Sequence, residues 1–147
     1  MKIVITGGGG FIGRRLAKNI LAEGELTGPS GKKEPITELV LFDAVSPPED
    51  ELTDDRISAV IGDITDADLV SDVINRDTDS VFHLAAVVSA WADKDLVKRV
   101  TLDGTENVLQ AALAENTRVV LASSIIVYGD AIDREECDED HPFGRSL

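Results

Sequence analysis

The 147-residue chain has one cysteine, Cys137, so no intrachain disulfide can form, and a small secreted scaffold stapled by disulfides is excluded. This usage agrees with a reducing cytoplasm, the compartment expected for it. Histidine is almost as scarce. His83 and His141 lack the cysteine, histidine or carboxylate spacing of a metal site, and no metal is expected. Basic residues are outnumbered two to one, 14 Lys and Arg against 28 Asp and Glu, for a net charge of -14. That field repels phosphate backbones, and with 4% aromatics there is no basic stripe interleaved with stacking residues, so nucleic acid is excluded as a partner. No apolar run approaches the roughly 20 residues that span a bilayer, and no membrane partner is expected. Met1-Lys2 leads straight into Ile3-Val4-Ile5, leaving no room for a signal peptide. The length suits a single domain over residues 1–147 that buries about 70% of its unfolded surface, with 130–147 an irregular acidic tail.

What the chain does have is glycine concentrated in one place. TGGGGFIG, Thr6 to Gly13, lies between the apolar run Ile3-Val4-Ile5 and an amphipathic run that opens at Phe11. A strand that breaks into glycines and restarts as a helix lets a pyrophosphate approach backbone bare of Cβ atoms, and the helix start favours its negative charge. Two spacings fit, Gly8-x-Gly10-x-x-Gly13 and Gly7-x-x-Gly10-x-x-Gly13, and the bland alternative is a glycine turn of any α/β domain.

The helix that follows carries Ile12, Leu16 and Ile20 with Ala17 and Leu21 beside them, and should stop near Gly24. From Glu25 to Thr37, Gly28-Pro29, Gly31 and Pro35 mark an irregular insertion. Leu39-Val40-Leu41-Phe42-Asp43 reads as a parallel strand covered on both faces and closed by an acid. In dinucleotide folds an acid at the end of the second strand, usually about 20 residues past the glycines, hydrogen-bonds the adenosine ribose. The insertion accounts for the longer spacing here. Asp43 in that role predicts NAD over NADP, because a carboxylate repels a 2′-phosphate; the alternative is an ordinary turn-starting acid. Ile57 to Ile61 is the third strand, closed by Gly62-Asp63, and Thr65 is positioned to cap a helix over 66–75. Residues 80–86, SVFHLAA, form a fourth strand running into small residues that leave room for a flat ligand. His83 within it reads as a satisfied core histidine rather than a catalyst. A helix is expected over 96–115 despite Gly104, which costs about 1 kcal/mol relative to alanine, then a fifth strand over 119–122 leading to Ser123-Ser124. These elements make an α/β, Rossmann-like, doubly wound parallel sheet ordered 3-2-1-4-5, with Thr6, the glycines, Asp43, Asp63, Ala85 and the serines on one carboxyl edge.

TGGGGFIG, LFD ending at Asp43, GDITD at 62–66, FHLAA at 82–86, LDGTENVLQAA at 102–112 and SSIIVYG at 123–129 together resemble the extended short-chain dehydrogenase/reductase family, also described as NAD-dependent epimerases/dehydratases. The resemblance implies cofactor contacts at Gly7, Gly10, Phe11, Ile12 and Gly13, a ribose acid at Asp43, an adenine contact at Asp63 and Ile64, and Ala85 and Ala86 beside the nicotinamide ribose. It implies that Ser124 hydrogen-bonds the reacting oxygen of a sugar acid or nucleotide sugar, and that a complete member would pair as a homodimer. Two departures stand out. Thr101 replaces the usual Asn of the helix motif, and the Tyr-x-x-x-Lys pair that normally follows the serine is absent. Losing a positioned acid/base of that kind costs about 10²- to 10⁴-fold in rate. The expectation is therefore the NAD-binding portion of an oxidoreductase, truncated before its catalytic pair and with the outer edge of the fifth strand and one helical layer uncovered. The alternatives are a non-catalytic dinucleotide-binding module or an inactive remnant.

Overall fold

The computed structural model describes residues 1–49, 53–87, 93–133 and 137–144. In chain order they form β1 (Lys2–Thr6), α1 (Phe11–Glu23), β2 (Glu25–Thr27), β3 (Lys33–Pro35), β4 (Glu38–Asp43), β5 (Ile57–Ile61), α2 (Ala67–Val73), β6 (Ser80–His83), α3 (Lys94–Lys98), a π-helical turn (Arg99–Asp103), α4 (Gly104–Ala114), β7 (Arg118–Leu121) and a 3₁₀ segment (Ile125–Asp133). The main sheet is parallel, ordered β5-β4-β1-β6-β7. This is the predicted 3-2-1-4-5 arrangement. Thr6 lies level with Phe42 on one side and His83 on the other, so the chain leaves the three central strands at one height.

Alternation along the strands builds two core layers. Ile3, Ile5, Leu39 and Leu41 pack with Ala17 and Ile20 of α1, joined by Met1 and Ile36. On the other face Val4, Val40, Phe42 and Val81 meet Val70 and Val73 of α2 and Val108, Ala111 and Ala112 of α4. Each such large aliphatic or aromatic side chain contributes about 1.5–3 kcal/mol by leaving water. The layering thins at β7: Val119 packs against the second core, whereas Val120 and Leu121 are 46% and 51% exposed.

Several expected boundaries move. The insertion at 25–37 is a two-stranded antiparallel hairpin, β2 with β3. It is held by distant groups: Arg118 donates to the carbonyls of Thr27 and Gly28, both at 3.0 Å, and the Met1 ammonium donates to the Pro35 carbonyl at 2.5 Å. The cap of α2 is Asp66, whose carboxylate accepts from the Leu69 N–H at 3.1 Å, and the helix runs Ala67–Val73 rather than 66–75. Thr65 stands one residue before the cap, with its N–H on the Asp63 carboxylate at 2.9 Å and its hydroxyl also bonded to Asp63. The fourth strand ends at His83, and the fifth spans Arg118–Leu121. The long helix starts earlier than expected, capped by Asp93, and its middle turn is π-helical. Gly104 has a packing cause, since a Cβ there would stand 2.6 Å from Ile64 Cγ2. Residues 134–136 and 145–147 of the acidic tail, and Val88 and Ser89 after HLAA, lie outside the described residues. The described part of the tail folds back, with the Gly144 N–H on the Val127 carbonyl at 2.8 Å and Tyr128 edge-on to His141.

Candidate dinucleotide site

The loop after β1 turns at Gly7, whose φ of +70° disfavours any side chain, and a Cβ there would also come within 2.9 Å of the Ala85 nitrogen. Gly10 is the N-cap of α1, its N–H on the Gly7 carbonyl at 3.1 Å. A Cβ on Gly13 would collide with that same carbonyl oxygen. Gly7 meets both Gly10 and Gly13 through its carbonyl, and Gly8 also lies against Gly13, where a Cβ would stand 2.8 Å from the Gly8 Cα. The result is a backbone-lined concavity at the start of a 13-residue helix, whose first-turn amides have no intrahelical acceptor. It fits a pyrophosphate.

A cleft of about 520 Å³ opens from this loop across the carboxyl edge of β4, β1 and β6. Its walls include Gly7, Gly10, Asp43, Asp63, Ile64, Ala85 and Ala86, with Leu96 and Val100 from the long helix. Asp43 is fixed by two amides: one carboxylate oxygen accepts from Gly9 at 2.9 Å and the other from Val45 at 3.1 Å. The hydrogen bonds from the Thr65 backbone and hydroxyl hold the Asp63 carboxyl below its usual range, with a smaller contribution from Arg99. Ile64 is 7% exposed; its side chain packs against Gly104 and its carbonyl accepts from Asn107 at 3.1 Å. The edge of the cleft is therefore braced from α4.

Leu84, Ala85 and Ala86 are shared with a second hollow, which also has Ile12, Thr101, Thr105 and Ser124 in its walls. Ser124 thus lies across the small residues from the cleft, at the head of the 3₁₀ segment, where its hydroxyl oxygen accepts from the Ile126 N–H at 3.3 Å. Phe11 is 82% exposed and lines neither cavity. Tyr128 is also outside both, packed with His141 and Phe143. His83, 1% exposed, is a satisfied core residue: Nδ1 is 2.6 Å from Thr6 Oγ1 and Nε2 is 2.9 Å from Thr105 Oγ1, and burial lowers its pKa. Sequence reasoning missed Thr105, Asn107, Leu96 and Val100. The spacing Gly104-Thr105-x-Asn107 on one helix was the available signal for the first two. Among the described residues no cluster of three His, Cys, Asp or Glu could hold a metal ion, and no helix is long and apolar enough to cross a membrane.

D-erythronate dehydrogenase of Cupriavidus necator is 43% identical over 133 residues, 88% of this chain and 40% of the relative, and that of Haemophilus influenzae is 35% identical over 88% and 39%. The chain thus spans about two fifths of the length of these curated relatives. Among solved structures, the dTDP-glucose 4,6-dehydratase DesIV of Streptomyces venezuelae, with NAD bound, superposes with a TM-score of 0.80 at 30% identity, covering 98% of this chain and 45% of that one. With residues 3–146 matching its pattern, the chain belongs to the NAD dependent epimerase/dehydratase family.

Proposed function

We propose that this chain is the NAD-binding part of an oxidoreductase that moves hydride between a carbinol carbon of a sugar acid or nucleotide sugar and its cofactor. In this reading the pyrophosphate rests on the Gly7-Gly10-Gly13 loop and the amides of Phe11 and Ile12, Asp43 takes the adenosine ribose, Asp63 and Ile64 flank the adenine, and Ala85 and Ala86 give the nicotinamide ribose room. Bound NAD supplies the hydride acceptor. The Ser124 hydroxyl donates to the substrate oxygen. The observation that carries the reading is the Asp43 carboxylate, held by the Gly9 and Val45 amides at the rim of the cleft. A fixed negative charge there favours ribose hydroxyls and opposes a 2′-phosphate, hence NAD over NADP. The D-erythronate dehydrogenases and the NAD-bound dehydratase among its relatives support the substrate class and the cofactor. Calorimetric titration with NAD and NADP in parallel tests it: NAD is expected to bind more tightly, and tighter NADP binding by the folded chain would sink Asp43's role.

A further inference from the structure

Thr105 has one hydroxyl proton, and its neighbours decide where that proton goes. Its Oγ1 stands 2.5 Å from the carbonyl oxygen of Thr101, a separation two oxygens hold with a proton between them, and the carbonyl has none to give. Thr105 therefore donates to Thr101 and accepts from His83 Nε2, 2.9 Å away. Burial keeps the imidazole neutral, so its single proton is on Nε2 and Nδ1 is an acceptor. The 2.6 Å contact between Nδ1 and Thr6 Oγ1 is then donation by the Thr6 hydroxyl. Both lone pairs of Thr6 Oγ1 are left for the N–H of Ala85 at 3.2 Å and that of Leu84 at 3.3 Å, the latter shared with the Thr6 carbonyl at 3.1 Å. The opposite tautomer would bring a third donor to Thr6 Oγ1, leave the Thr6 proton without an acceptor and release one of the two amides.

We propose that Thr105 is a positioning residue, which by selecting the His83 tautomer turns the Thr6 hydroxyl toward Ala85 and so sets the glycine loop against the Leu84-Ala85 strand end. Thr105 does not line the cleft; it stands in the wall of the second hollow, and among the described residues its hydrogen bonds lead to the cleft through His83 and Thr6. Its relevance to a cofactor rests on reading the cleft as a dinucleotide site, but the relay itself can be measured without one. Imidazole ¹⁵N shifts of the 147-residue chain are expected to show a protonated Nε2 and an unprotonated Nδ1. Thr105→Val keeps the shape and removes the acceptor. It is expected to mix or invert the tautomer, to speed amide exchange at Ala85 about tenfold, and to weaken NAD binding by a similar factor, with Thr105→Ser restoring all three. A protonated Nδ1 in the unsubstituted chain would overturn the proposal, and needs no variant to fold. So would unchanged Ala85 exchange in folded Thr105→Val. Tautomer and exchange as expected, in a chain that does not bind NAD, would support the relay and sink the cofactor reading alone.

Discussion

The Asp43 carboxylate accepts the Gly9 N–H at 2.9 Å, so the end of β4 is fastened to the loop that follows β1 by one side chain. With Val45 bonded to the other oxygen, the carboxylate has a single orientation at the cleft rim. Asp43→Asn replaces one acceptor with a donor that faces an amide, and removes the charge. Hydrogen bonds to a charged group contribute about 1.5–3 kcal/mol, so NAD affinity is expected to fall about 10- to 100-fold. Discrimination against NADP should narrow at the same time. Calorimetry with both cofactors checks the two effects together, and an unchanged preference for NAD would assign selectivity elsewhere.

The glycines differ in how much a methyl group would cost. At Gly10 the nearest atom to an added Cβ is the Gly7 oxygen at 3.2 Å, which a small shift relieves, whereas at Gly13 the same oxygen blocks the Cβ outright. Overpacking of that kind costs about 1–3 kcal/mol. Gly13→Ala is expected to lower the urea midpoint and abolish measurable NAD binding, while Gly10→Ala stays folded with weaker binding. Equal stabilities for the two variants would contradict the stacking of α1 on the Gly7 carbonyl.

Much of this architecture was legible because it rests on clear apolar patterns. The run Leu39 to Phe42 is apolar throughout, as a strand covered by a core on each face must be, and Ile12, Leu16 and Ile20 repeat at helical spacing. The hairpin was not legible, because ELT and KEP are three residues each with no alternation to detect, and their anchors are Arg118 and the Met1 ammonium, remote in sequence. The cap of α2 was misplaced by one residue because Thr65 and Asp66 are both good caps side by side in sequence, and only the position at which the helix begins, Ala67, separates them. In the candidate site, the residues on the carboxyl edge were readable as strand ends, Asp43 and Asp63 among them. The bracing from α4 was not, since Thr105 and Asn107 act on backbone and side-chain groups more than 20 residues away.

His83 gives stability a definite pH dependence. Burial lowers its folded-state pKa below 6.5, so between that lower value and 6.5 the unfolded chain binds a proton that the folded chain does not. Stability therefore rises with pH across this window. The contribution is fully present above 6.5 and is lost as pH falls toward the folded value. Asp54, held at about 2 by its hydrogen bonds to Arg56, loses its contribution only in stronger acid, from its ordinary 3.8 downward. Urea denaturation is expected to show a declining midpoint below about pH 6.5, with the His83 resonances still neutral in the folded protein. A His83 that titrates at 6.5 would abolish this dependence, and one that titrates higher would reverse its sign.

Gly104→Ala sets two known effects against each other. Alanine in a helix interior is favoured over glycine by about 1 kcal/mol, and Gly104 already has helical angles of -62° and -42°, so propensity alone predicts stabilisation. Packing opposes it: the new methyl would stand 2.6 Å from Ile64 Cγ2 and 3.2 Å from Cγ1, on a β-branched side chain that is 7% exposed and has few rotamers to move into. Overpacking at about 1–3 kcal/mol outweighs the propensity gain, and a net loss of about 1 kcal/mol is expected. Because the Ile64 carbonyl is held by Asn107, the displaced side chain should also disturb the Asp63-Ile64 wall of the cleft, weakening NAD binding. Ile64→Ala removes the obstructing atoms, so adding Gly104→Ala to it should be neutral or stabilising. A double-mutant cycle in urea measures the coupling. Stabilisation by Gly104→Ala in the unsubstituted background would mean that Ile64 yields freely and that α4 does not brace the cleft through this contact.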